Sequence, residues 1–148
     1  MKTISDPAVA SVLAARLERL TPEQNREWGT ISPHQMLAHL ADAADGVMQR
    51  RPFPRASRAP SRLLKYAALY LPRPWPHGIQ AGARPADVIL DADAFATERT
   101  RALAVMSELA APDAQLAPEH PLFGSMTRGD WLRWAFLHTD HHLRQFGL

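Results

Sequence analysis

The sequence contains no cysteine, and this absence removes several kinds of chemistry at once. Disulfide bonds, thiolate zinc sites and a cysteine nucleophile are all excluded, so any metal ion must be held by histidine, carboxylate or water. No apolar run approaches the roughly 20 residues that span a bilayer. The N-terminal stretch carries Asp6 and Arg16 and has no signal-peptide layout. We therefore expect a cytoplasmic protein without a transmembrane segment.

Acidic residues are missing between positions 46 and 86, a stretch that is rich in arginine. The rest of the chain is net acidic. Such asymmetry is typical of a solvated, Arg-rich connection, but it also fits an anionic ligand, a membrane surface or nucleic acid. We expect no nucleic-acid binding, and the other interpretations stay open. The basic residues of the stretch are Arg50, Arg51, Arg55, Arg58, Arg62, Lys65, Arg73 and Arg84.

Several catalytic motifs are also absent. The chain has no His-Glu-x-x-His, which excludes the corresponding zinc proteases, and no Glu-x-x-His, which argues against a di-iron carboxylate bundle. It has neither a phosphate-cradling glycine loop nor a Gly-x-Ser-x-Gly nucleophile elbow. The chemistry of this protein must come from other residues.

Apolar residues at helical spacing predict four main helices and no strand of useful length. A long connection rich in Pro, Arg and Gly, residues 51–90, separates the second helix from the third and contains one short apolar helix, Ser61 to Leu71. This pattern predicts an all-α four-helix bundle with a long Pro/Arg-rich crossover, forming a single domain over residues 1–148. The predicted main helices run from Asp6 to Leu20, from Ser32 to about Arg50, from Asp91 or Asp93 to Leu109, and from Thr127 to about Phe146.

Histidines on two of these helices form a candidate metal site. His138 and His142 are four residues apart, so they lie on one face of the fourth helix. His39 lies in the middle of the second helix among small or polar neighbours. If these helices face each other, three imidazoles can hold one ion and leave a coordination position open, as in catalytic zinc sites. The spacing alone also fits three packed core histidines, and that interpretation remains open.

Other residues are assigned supporting roles. Asp42, one turn beyond His39, is a candidate either for contact to a ligand or for the general base, and Gln145 and Asp140 are weaker candidates for contacts to the ligands. Trp131 is most simply a core residue and otherwise lines the pocket. His120, in a predicted loop at 120–124, could reach the mouth of the site. Imidazole ligands suit zinc, nickel or ferrous iron, and water bound to such an ion can reach a pKa of about 7.

Two segments, WGTISPHQMLAHLAD from Trp28 to Asp42 and WLRWAFLHTDHHLRQFG from Trp131 to Gly147, resemble the two signature helices of the DinB/YfiT-like superfamily. The loop HPLFG at 120–124 and the ending DHHLRQFG resemble a branch classed as a domain of unknown function. The resemblance implies a four-helix bundle, a His triad at His39, His138 and His142, and a divalent metal, commonly nickel or zinc. It also implies a homodimer, and thiol-dependent transferase or isomerase activity with a low-molecular-weight thiol.

The function predicted from these observations is that of a metal-dependent enzyme whose three-His site activates a thiol or a water for a small-molecule substrate. S-transferase-like chemistry is preferred on the resemblance, and a metal-dependent hydrolase is the alternative. A non-catalytic helical module that binds an anionic partner through its basic crossover is the second hypothesis. The third hypothesis is a helical bundle that binds no metal and whose histidines are packed core residues.

Overall fold

The computed structural model describes residues 1–53, 59–77 and 91–148. Within these ranges the chain forms five helices and one short antiparallel ribbon, so the predicted helical fold, with four main helices and a short one in the connection, is confirmed. The ribbon pairs β1 (Glu119–His120) with β2 (Gly124–Ser125). The helices are α1 (Pro7–Glu18), α2 (Pro33–Val47), α3 (Arg62–Tyr70), α4 (Ala92–Ala110) and α5 (Arg128–Arg144).

The starts of α2 and α5 are fixed by two capping boxes. The Ser32 hydroxyl accepts a hydrogen bond from the backbone N–H of Gln35, and the Ser32 N–H donates to the Gln35 side chain. Thr127 and Asp130 exchange the same two bonds at the start of α5. A capping box satisfies N–H groups that the first helical turn leaves unpaired. Both boxes also fix which residues of α2 and α5 face inward.

The core lies between the main helices. α2 packs most extensively against α4 and also contacts α5, which in turn contacts α1 and α4. Apolar side chains from α1, α2, α4 and α5 join in one buried cluster, so the facing sides of α2 and α5 are shielded from water. The largest fully buried side chains of the helices include Leu13, Leu17, Met36, Leu37, Val47, Leu69, Leu109, Trp131 and Leu143.

The short helix α3 is attached to the start of α5 by polar contacts. Lys65 forms an ion pair with Asp130 at 3.1 Å, and the Tyr70 hydroxyl donates a short hydrogen bond to the same carboxylate. Leu69 is its one fully buried residue, whereas Leu63 and Tyr66 are exposed. No helix in the described ranges is long and apolar enough to cross a membrane.

The structure differs from the expected element bounds in several places, and α1 ends at Glu18 rather than Leu20. α2 ends at Val47 rather than near Arg50, because Gln49 adopts a left-handed conformation with φ 60°. α5 ends at Arg144, before Gly147 reverses the chain with φ 68°. The segment expected as a plain loop at 120–124 joins the two strands of the ribbon. Much of the predicted crossover, residues 54–58 and 78–90, lies outside the described residues.

Candidate metal centre

Three histidine side chains meet between α2 and α5. His39 comes from the middle of α2, and His138 and His142 come from successive turns of α5. Their ring centroids are 4.7 to 4.9 Å apart in every pair. One ligand nitrogen from each residue lies within 4.8 Å of the other two, and within the described part of the chain no other histidine or acidic cluster has this geometry. The structure thus brings together the three residues that the sequence analysis selected, in a cluster that could hold a metal ion.

The closest pair of nitrogens is compatible with a shared ion. Nε2 of His39 lies 2.9 Å from Nε2 of His138. Nitrogens that bind one ion at about 2.0–2.1 Å stand roughly 2.8 to 3.4 Å apart, as the angle at the ion goes from about 90° to about 109°. The same 2.9 Å is also a normal hydrogen-bond length between two neutral imidazoles. The donor set and its spacing therefore fit a divalent ion, and metal analysis separates the two interpretations.

Burial keeps all three rings in the form that binds metals. Burial lowers the pKa of His39, although the nearby charge of Asp42 opposes this effect. The pKa of His138 lies well below its ordinary value because the ring is buried and has other histidines around it. Burial and the proximity of His39 lower the pKa of His142 to about 3. At neutral pH the three imidazoles are therefore uncharged, with lone pairs available for an ion.

Gln145 fixes the orientation of one of these rings. Nδ1–H of His142 donates to the amide oxygen of Gln145 at 2.6 Å, because a carbonyl oxygen can only accept. The proton therefore lies on Nδ1 and leaves Nε2 of His142 free as the ligand atom. Gly29, with φ 82°, lies beside this amide, and a Cβ there would come within 2.5 Å of Gln145 Nε2. The Trp28–Gly29 turn thus makes room for the contact.

Two aromatic residues surround His138 on the side facing the ribbon. The Trp134 indole stacks on His138 with a centroid distance of 4.5 Å and planes 12° apart. His120 contacts Trp134 in turn, and burial lowers its pKa to about 4. Trp131 contacts Trp134 rather than His138. It stacks on Phe53 and donates its indole N–H to a backbone carbonyl. Trp131 is therefore a core residue, whereas Trp134 packs directly on the histidine cluster.

The two acidic candidates contact arginines. The carboxylate of Asp42 forms ion pairs with Arg51 and Arg101 on the side of α2 that faces α4. Asp140 pairs with Arg16 of α1 at 2.6 Å and with Arg144 at 2.8 Å. Neither carboxylate belongs to the three-histidine cluster. Asp42 acts on His39 through its charge, and Asp140 links α5 to α1.

A cavity of about 460 Å³ lies near the cluster, separated from it by Trp75 and His141, and the sequence analysis did not select its two tryptophans. Trp75 of the connection lies against His138 and His141, and His141 contacts His142. Trp28 and His77 complete the aromatic lining. One signal was present in the sequence, because Pro74 and Pro76 restrict the backbone around Trp75. The proline pattern does not show which residues Trp75 contacts in the folded protein.

Comparison with known proteins identifies the family. The family model of the DinB superfamily matches residues 8–146, which is nearly the whole chain. No curated protein and no solved structure matches the chain. The matched residues include all three histidines of the cluster and every helix except the first residue of α1. The chain therefore belongs to the DinB superfamily.

Proposed function

We propose that this protein is a metal-dependent enzyme in which His39, His138 and His142 hold one divalent ion, nickel, zinc or iron. The observation that carries the proposal is the meeting of three neutral imidazoles from α2 and α5, with one nitrogen of each within 4.8 Å of the others. Three protein ligands leave at least one coordination position for a thiol, a water or a substrate. When bound, such an ion lowers the pKa of a water or thiol at that position.

The reaction class that we propose is transfer to or from a low-molecular-weight thiol, with hydrolysis as the alternative. The chain itself has no cysteine, so a thiol nucleophile would have to arrive as a co-substrate. The chain's own residues hold the ligand rings and exclude water: Gln145 fixes His142, and Trp134 covers one face of His138. Asp42 is the proposed proton acceptor, and to act so its carboxylate must leave its ion pairs with Arg51 and Arg101.

Elemental analysis of purified, untagged protein tests the metal site. We expect near-stoichiometric nickel, zinc or iron in the wild type and loss of the ion in His39→Ala. His141→Ala is the matched control, because His141 lies between the two α5 ligands in sequence but outside the cluster. Wild-type protein that takes up no added divalent ion at neutral pH would overturn the proposal and leave three packed core histidines.

Turnover assays separate the two chemistries. Electrophilic small molecules are offered with and without an added thiol, and ester or amide substrates are offered without one. Activity that requires the thiol supports a transferase, whereas thiol-independent turnover supports a hydrolase. In either case Asp42→Asn should lower turnover by about 10² to 10⁴ if Asp42 accepts the proton, while the ion content should not change.

The ion pairs of the basic stretch favour an enzyme over an anion-binding module. Arg50 pairs with Asp45 and Glu108, and Arg51 pairs with Asp42. Lys65 is held by Asp130. These three cations are therefore already matched by acidic groups of the same chain. Salt-sensitive binding of anionic vesicles by the metal-loaded protein would reverse this preference.

A further inference from the structure

The cavity beside the histidine cluster is built from rings that three separate segments contribute. Trp28 comes from the turn before α2, Trp75 and His77 come from the connection after α3, and His141 comes from α5. Trp28 and His77 stack with centroids 3.8 Å apart and planes 4° apart. His141 meets the edge of Trp28 at 4.8 Å. Tertiary folding thus assembles an aromatic lining from residues distant in sequence.

The same rings connect the cavity to the proposed ligands. The Trp75 ring lies 5.7 Å from His141 and 6.4 Å from His138, and the ring of His141 lies 5.5 Å from that of His142. None of the three histidines lines the cavity itself, so a molecule in it would be separated from the cluster by the rings of Trp75 and His141. At about 460 Å³ the cavity falls within the usual range for small-molecule sites, roughly 300 to 1,000 Å³.

The lining combines charged groups with aromatic rings. Glu27 and Arg144 both line the cavity and carry opposite charges. Aromatic side chains, in contrast, supply π surface from several directions, and such surfaces favour stacked or edge-on rings. The indole N–H of Trp75 donates to the carbonyl oxygen of Ala68 at 2.8 Å, which fixes this ring before any ligand arrives. A fixed ring loses little conformational freedom on binding.

We infer that this cavity binds a small organic molecule with a planar aromatic or conjugated body, held against Trp28 and Trp75. The assignment of this molecule as the substrate rests on the proposed function, and it requires that one end of the molecule extend past Trp75 and His141 to the histidine cluster. Trp75 is a specificity-determining residue in this assignment. It contacts the ligand body and belongs to the connection rather than to the main helices.

The test uses calorimetric titration of nickel-treated protein with 2-naphthoate and with decahydro-2-naphthoate. The two probes carry the same carboxylate, so any contact with an ion or with Arg144 is common to both, and their difference reports the planar ring. We expect wild-type protein to prefer 2-naphthoate. Trp75→Leu should reduce its affinity by about twofold to tenfold, the range for aromatic pairs, whereas Trp75→Phe keeps most of the preference. Both variants lose the bond to Ala68, so their difference isolates the ring.

Tyr66→Leu serves as a control, because Tyr66 is an exposed aromatic residue on α3 outside the cavity lining. Equal affinity of the wild type for the two probes, or an unchanged preference in Trp75→Leu, would overturn the inference. If Trp75→Leu does not fold, the Trp28→Leu and Trp28→Phe pair supplies the same comparison. Metal content is measured in each sample. Protein that holds no ion overturns the proposed function, and the ring preference of that metal-free protein still decides the ligand class.

Discussion

Two clusters of polar side chains include residues from neighbouring turns of α2. One consists of paired charges, and the other consists of uncharged histidines. In the first, Asp42 and Asp45 meet Arg51 and Arg101 at the edge of the molecule, where each carboxylate has a cationic partner. In the second, His39, one turn before Asp42, meets two histidines of α5, and no acidic group belongs to this cluster. Exposed charges pair with each other, whereas buried bases without an acid lose their protons.

This difference gives the two clusters different capacities. An ion pair uses the carboxylate oxygens internally, and partly exposed pairs add about 0 to 1 kcal/mol to stability. Neutral imidazoles keep their lone pairs, and three of them at this spacing suit a divalent cation. The histidine cluster is therefore arranged for binding, and the aspartate–arginine cluster for holding α2 against α4 and the connection.

The largest expected effect is the loss of the ion in His138→Ala. With nickel at 100 times its dissociation constant, the wild type should gain about 2.7 kcal/mol in the free energy of unfolding, or roughly 5 to 10 °C in melting temperature for a chain of this size. His138→Ala should show no such shift, while His141→Ala should resemble the wild type. A full nickel-dependent shift in His138→Ala would remove the histidine cluster as the binding site.

Because Gln145 orients His142, a substitution that displaces Gln145 should weaken metal binding by less than the loss of a ligand does. Gly29→Ala introduces a Cβ against the Gln145 amide and strains a backbone at φ 82°. Displacement of a residue that orients a ligand typically lowers metal affinity by about 10- to 100-fold. Competition with a chelator measures this change. Gly129→Ala is the control, because a Cβ there meets its nearest atom at an ordinary 3.8 Å; equal affinities in both variants would contradict the role of Gln145.

Buried neutral histidines predict a stability that falls in acid. His120 has its pKa lowered from 6.5 to about 4 by burial, so between these values the unfolded chain binds a proton that the folded chain does not. Its contribution is fully present above pH 6.5 and is lost as the pH falls towards 4, at up to about 1.4 kcal/mol per pH unit. Urea denaturation of metal-free protein between pH 7 and pH 4.5 should show a shallower decline in His120→Gln. Identical slopes would place His120 in contact with water.

The smallest effect is expected from the aspartate–arginine cluster. Asp42→Asn should change the free energy of unfolding by less than about 1 kcal/mol, because its arginine partners are partly exposed to water. The difference from the wild type should shrink further in high salt. Chemical denaturation at two salt concentrations measures both values. A loss of several kcal/mol, or loss of the ion, would mean that the two clusters of α2 are coupled.

Much of the fold could be predicted from local signals. Ser32-Pro33 and Thr127 with Asp130 gave the starts of α2 and α5, because caps act through atoms within one helical turn. The i, i+4 spacing of His138 and His142 follows from helix geometry alone. The ends of the helices were less accurate: α2 ends before Gln49, where no strong stop signal stands, and α5 ends at Arg144, three residues before the stop signal Gly147.

The sequence by itself therefore determined the helices, the absence of a cysteine thiol in the chain and the pairing of two histidines on one face. Only the tertiary structure decided that His39 meets this pair, that Gln145 rather than Asp140 holds a ligand ring, and that Trp75 of the connection closes the neighbouring cavity. The physical reason is the distance along the chain over which each interaction acts. Helix caps and helical spacing depend on neighbours within a few residues, whereas the site depends on how α2, α5 and the connection pack together.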